Sequence, residues 1–178
     1  GLLLSVILIG AIASYFAELS YYDLAIDYFN KAVKSSKQYN DAYENLNATN
    51  QIGLIEYDRG NYRKAIKIFE QILTHLQRDS ESEFSNLYEL FYPSMLSNIG
   101  LVYNAWGQFD KALLYHEKSL KFSQDSDEGD LNIADLINIG NIYLEWNKNQ
   151  IAEDYYNEVE KYSSGLIVDS VIFTKARC

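Results

Sequence analysis

The stretch SNIGLVYNAWGQFDKALLYHEKSL (Ser97–Leu120) is answered later in the chain by INIGNIYLEWNKNQIAEDYYNEV (Ile137–Val159). Both write I-G-x-x-Y and then place an alanine twelve residues after the glycine. The polar residues between these points differ, whereas the small and apolar ones stay. A catalytic motif would hold its polar residues fixed, so the repeated object is a packing unit.

Setting Ala25, Ala65, Ala112 and Ala152 in register extends the match to four units. Twelve residues before each alanine stands a very small residue: Ala13, Gly53, Gly100 or Gly140. An isoleucine precedes each of these, at Ile12, Ile52, Ile99 and Ile139. Four residues after the alanine comes Phe29, Phe69, His116 or Tyr156, and a turn falls at Ser20, Gly60, Gly107 or Asn147. Internal repetition of this kind governs the whole fold reading.

Each unit reads as two amphipathic helices joined by a tight turn. In YRKAIKIFEQIL the apolar residues Ala65, Ile66, Ile68, Phe69, Ile72 and Leu73 follow one helical face. The glycine or alanine lacks bulk, so the first helix lies close against the second. The aromatic past the alanine fills the next gap in the stack. Glycine or asparagine at the turn tolerates a positive φ.

The pattern resembles the tetratricopeptide repeat (TPR) family, whose L-G-x2-Y element is matched by IGLVY and IGNIY and whose A-x3-F element by AIDYF and AIKIF. The family's tryptophan is replaced by Ile9, Thr49, Leu96 and Leu136, and Glu56 stands where the second unit should carry tyrosine. No unit ends in the family's proline. The resemblance implies an all-α, right-handed solenoid of antiparallel helical hairpins, one domain over 1–178. Its repeats are expected at 1–38, 41–78, 82–124 and 130–163, with 165–178 a truncated first helix of a further repeat. The alanines are 40, 47 and 40 residues apart, longer than the usual period of about 34. The extra seven lie in ESEFSNLYELFYPSM, where Pro93 is expected to start or kink the helix.

Composition agrees and narrows the function. One proline and nine glycines in 178 residues leave few turns for a many-stranded β protein. A net charge of −10 argues against direct nucleic-acid binding, which needs a basic footprint. The single cysteine, Cys178, cannot form an internal disulfide, which favours a reducing compartment and so a cytoplasmic location. The opening GLLLSVILIGAIA is too short to span a bilayer as a helix. It reads either as a buried repeat helix or as a targeting remnant, and the second would make the location periplasmic. Its apolar character also calls for a cover, either an upstream repeat or a second copy of the chain.

Motifs for chemistry are missing. HEKSL begins like a zinc-binding H-E-x-x-H but ends in Leu120. The acidic run Asp125–Leu136 has Gly129 one place early for a calcium loop and Leu136 where the bidentate glutamate belongs. His116 occupies a packing position. No catalytic residue, metal ligand or cofactor site is expected, and the chain reads as a non-enzyme.

The remaining candidate is a surface. In stacked hairpins the first helices line a concave face along which an extended protein or peptide segment lies. The residues assigned to that groove are Asn50, Gln51, Tyr57, Asn98, Leu101, Asn104, Asn138, Asn141 and Glu145. Ser97 and Ser94 lie near them. Carboxamides there both donate to and accept from a peptide backbone. The resemblance implies that role for Asn98 and Asn138; the plainer reading is that they tether neighbouring helices. The long repeats also resemble TPR regions of bacterial histidine kinases and regulators, which implies a sensory part of a larger signalling protein.

Overall fold

The computed structural model describes residues 2–79, 85–125 and 133–162, with side chains at 6–78, 86–125 and 133–161. These form eight α-helices and, among the described residues, no strand: α1 (Leu2–Glu18), α2 (Tyr22–Gln38), α3 (Ala42–Asp58), α4 (Tyr62–Asp79), α5 (Ser85–Ala105), α6 (Phe109–Asp125), α7 (Ile133–Glu145) and α8 (Asn149–Tyr162). They pair in chain order into four hairpins. The expected fifth-repeat helix at 165–178 lies outside the described residues, as does most of the acidic run after Asp125. The chain divides into two compact units, residues 1–89 and 90–178.

In the first unit α1 packs on α2 and α3, α2 on α3, and α3 on α4. Its core gathers Ala13, Ala25, Phe29, Ala32, Ala48 and Ile55. In the second unit, α6 and α8 pack on α7. Its core holds Ala112, Leu113, Ile139 and Ile142, continued by Leu136, Ala152, Tyr156 and Val159. Burying the larger of these, such as Phe29, Ile55, Leu136, Ile139 and Ile142, stabilises the fold by about 1.5–3 kcal/mol each before entropy is counted.

The small residues act as the register implies. A Cβ built on Gly53 would stand 2.5 Å from Phe69, one on Gly100 2.6 Å from His116, and one on Gly140 2.5 Å from Tyr156. Each ring therefore rests on the small residue of its own hairpin. Phe29 does more: it shares a cluster with Ala13 of its own hairpin and with Ala48 and Ile55 of the following one. A ring at this position thus fills the gap within a hairpin as well as the gap to the next.

The turns at Gly60, Gly107 and Asn147 carry the backbone their residues suggested, and Ser20 shares it. Ser20, Gly60, Gly107 and Asn147 have φ of 60°, 75°, 73° and 59°. At each, the residue after the turn donates its N–H back into the first helix, as Gln108 does to the Tyr103 carbonyl at 2.9 Å. Asn40, between the first two hairpins, adopts the same conformation with φ of 55°. Asp41 then caps α3, accepting from the Glu44 N–H at 3.0 Å.

Of the two roles expected of Pro93, a helix start is excluded: α5 begins eight residues earlier and runs through the proline. Beside the interruption, Ser94 Oγ donates to the Leu90 carbonyl, and the Pro93 carbonyl accepts from Ser119 Oγ. The opening run takes the place of a repeat's first helix, α1 packing on α2 and α3. Val6 and Ala13 point inward, but Ile7, Leu8 and Tyr15 lie at the surface. No helix among the described residues is long and apolar enough to cross a membrane.

Candidate functional site

Helical spacing sorts the nine groove candidates by face. On α5, Asn98, Leu101 and Asn104 fall three residues apart, on one face. On α7, Asn138, Asn141 and Glu145 do the same at three and four. On α3, Asn50, Gln51 and Tyr57 stand in the first unit. All are partly exposed except Glu145, which is exposed.

Their hydrogen bonds differ. Asn141 Oδ1 accepts from the Tyr156 hydroxyl at 2.8 Å, so the carbonyl is committed inside the hairpin and its NH₂ is the group that can donate outward. The Asn104 Oδ1 is enclosed and has no hydrogen-bond partner. Tyr57 packs against Tyr62 with ring centroids 6.3 Å apart. Burial, then the Asp58 charge, pushes its phenol above the ordinary range. Ser97, which the sequence places close to the groove, turns inward instead and donates to Asp135 Oδ1 at 2.6 Å.

That bond belongs to a polar cluster inside the second unit. His116 Nδ1 lies 2.7 Å from the same Asp135 oxygen, and both side chains are fully buried. A carboxylate only accepts, which places the imidazole proton on Nδ1. Ser119 Oγ is 3.0 Å from Ser97 Oγ and 3.0 Å from the Pro93 carbonyl. Serine, histidine and aspartate meet here without the geometry of a nucleophile relay. Ser97 gives its proton to the aspartate and not to the imidazole, and no atom of the histidine reaches solvent. The packing role read for His116 holds; its partner Asp135 was not foreseen.

Glu56, the residue that departs from the tyrosine pattern, is 1% exposed. Its two oxygens accept from Lys64 Nζ at 2.6 Å and Asn61 Nδ2 at 2.7 Å. Burial pushes the carboxyl up, but the Lys64 and Asn61 hydrogen bonds and the lysine charge outweigh it, leaving the group below the usual carboxylate range.

Unforeseen as well are two matching ring stacks. Tyr103 stacks with both Tyr115 and Trp106, at centroid distances of 5.6 and 6.4 Å and interplanar angles of 25° and 6°. Tyr143 stacks likewise with Tyr155 and Trp146, at 5.7 and 6.4 Å with 20° and 11°. Lys148 Nζ caps the second stack 3.5 Å from the Trp146 centroid. The signal was present, since both tryptophans stand six residues before the reference alanine.

Profiles of the tetratricopeptide repeat family match residues 92–162 and 8–39. The chain belongs to the tetratricopeptide repeat family. It is 30% identical over 112 residues to the uncharacterized protein ycf37 of Guillardia theta, a match covering 63% of this chain and 55% of that one. Among solved structures, aspartyl phosphate phosphatase F from Bacillus subtilis superposes with a TM-score of 0.79 at 18% identity, over 97% of this chain and 44% of its own. The apo quorum sensor NprR from B. thuringiensis gives 0.77 at 18%, over 97% and 48%. NprR in complex with its cognate peptide NprX gives 0.72 at 17%, over 96% and 48%. At these identities the structural likeness speaks for the fold. This TPR chain spans little more than half of its curated relative and under half of those two proteins.

Proposed function

We propose that this chain is a non-enzymatic TPR module that holds an extended protein or peptide segment along its first helices. One observation carries the reading. Within the second unit Asn98 and Asn138 place a carboxamide at the same register position on α5 and α7, two residues before the packing glycine, and in the first unit Gln51 holds that position on α3. A carboxamide there bonds backbone groups and ignores side chains, which suits a sequence-tolerant extended ligand. The candidate positions Asn50, Gln51, Tyr57, Asn98, Leu101, Asn104, Asn138 and Asn141 carry no formal charge, and Glu145 adds an acid. Neutral to weakly basic segments fit this surface better than carboxylate tails. The test is affinity for a displayed library of unstructured peptides. Asn98→Ala combined with Asn138→Ala, at unchanged circular dichroism, should weaken the selected peptides about tenfold or more, since each hydrogen bond contributes on the order of 1 kcal/mol. Unchanged affinity rejects the groove.

A second reading makes the chain a sensory region of a larger bacterial-type signalling protein in the cytoplasm. What favours it is the likeness to NprR, a quorum sensor solved with a cognate peptide, and to an aspartyl phosphate phosphatase, each over nearly all of this chain. The repeat limits 1–38, 41–78, 82–124 and 130–163 belong to the same proposal.

The partner for α1 is, on this reading, a second copy of the chain. Leu8 is 61% and Tyr15 59% exposed, whereas Ala48 and Ile55, at the same positions of the next hairpin, are 2% and 3% exposed beneath α2. The stripe Ile7, Leu8, Ala11 and Tyr15 bears no charge, so two chains of net charge −10 can meet there without like-charge contact.

A further inference from the structure

The buried cluster in the second unit departs from the repeat at three positions at once. His116 stands where the other hairpins have Phe29, Phe69 and Tyr156. Ser119 stands where they have Ala32, Ile72 and Val159, all buried. Asp135 takes the place held by Leu8, Ala48 and Met95. Each departure alone would put a polar group into an apolar site. Together they meet: His116 and Ser119 of the third hairpin face Asp135 of the fourth, with Ser97 Oγ completing the set. At the first junction the corresponding residues, Phe29 and Ala48, meet in one apolar cluster.

We propose that His116 and Asp135 form a matched key that seats the α7/α8 hairpin on the α5/α6 hairpin in preference to any other hairpin of the chain. Repeats of one geometry can dock out of order, because every hairpin offers the same kind of face. Here the wrong pairings carry a cost. The fourth hairpin set on a phenylalanine-bearing hairpin buries Asp135 without its imidazole. The third hairpin followed by one bearing alanine or methionine buries His116 without an acceptor for Nδ1. The other imidazole nitrogen offers no relief, since Nε2 has no partner and lies against Gly100.

Single substitutions reproduce those mispairings inside the intact chain. His116→Phe presents the fourth hairpin with the residue of the first two. Asp135→Met presents the third hairpin with the residue found at position 95. Urea unfolding would be followed by circular dichroism and by tryptophan fluorescence; the only two tryptophans, Trp106 and Trp146, lie in these hairpins, and Trp146 also touches Phe109 across the junction. Each single variant should lower the folding equilibrium constant roughly a hundredfold or more, as expected when one member of a buried pair is removed. The double variant, which replaces the pair by apolar residues that other hairpins carry at these positions and leaves Ser97 the Ser119 hydroxyl as a partner, should return to within about tenfold of the parent. A chain in which the pair is exchanged, His116→Asp with Asp135→His, should recover part of the loss, which a mere volume effect would not. If the two single losses multiply in the double variant, or if neither single variant is destabilised, the key does not exist. Should the singles fail to fold, a folded double variant still reports the coupling.

Discussion

Tyr156 lies so close to Gly140 that a Cβ on residue 140 would stand 2.5 Å from the tyrosine Cε1. The hydroxyl of the same tyrosine reaches on to Asn141 Oδ1 at 2.8 Å. One ring thereby sets the approach of α7 to α8 and orients a candidate ligand-binding amide. Packing and the proposed groove are joined through this contact.

Gly140→Ala should therefore destabilise the protein despite alanine's better helix propensity. The gain of about 1 kcal/mol from propensity is smaller than the 1–3 kcal/mol typical of overpacking in a site this tight. Gly10, on α1, has nothing within 4 Å of its Cβ position. The same change there should stabilise by up to about 1 kcal/mol. Urea denaturation of both variants, with Gly140→Ala/Tyr156→Leu as the relief of the clash, decides the point.

The Glu56 pair gives an acid limb. Its carboxyl is held below the ordinary range in the folded chain, so the stability it contributes is present above the unfolded value of about 4.3 and is lost as pH falls through the folded value. Lys64→Ala removes the largest of the offsetting interactions and so raises the folded value toward the unfolded one. The variant should lose stability near neutral pH, and its further fall on acidification should shrink. Glu56→Gln should flatten that limb. Because Lys64 is 62% exposed, high salt should weaken the effect in the parent. Unfolding midpoints between pH 2 and 7 at two salt concentrations (roughly 0.05 and 1 M) make the comparison.

Pairing through α1 is checked by light scattering on the intact chain. The parent should form a dimer that Leu8→Asp with Tyr15→Asp converts to a monomer of unchanged helix content. A monomeric parent overturns that partner assignment. Binding of the parent to neutral lipid vesicles, lost in the double variant, would assign the face to a membrane instead.

Much of this architecture is legible in sequence because it rests on side-chain size at fixed spacing. Gly53, Gly100 and Gly140, their facing rings and the turns at Ser20, Gly60, Gly107 and Asn147 recur in register, so four weak local signals reinforce one another. What recurs in only one hairpin is hidden. The bond from His116 to Asp135 joins residues nineteen positions apart, and nothing local marks the aspartate as buried. Ser97 reads as a surface residue for the same reason. Pro93 leaves two roles open in sequence, a helix start or a kink, and only the structure shows the helix already running from Ser85. The carboxamides are visible in sequence, but their commitments are not: Asn141 has already given its carbonyl to Tyr156.

The central claim is that ligand lies along the first helices. Site-specific photocrosslinking tests it most directly, with a benzophenone amino acid placed in turn at Glu145 of α7 and at Glu117 of α6, both exposed. A library-selected peptide should crosslink from position 145 and not from position 117. Crosslinking from position 117 alone, or equally from both, would contradict the account.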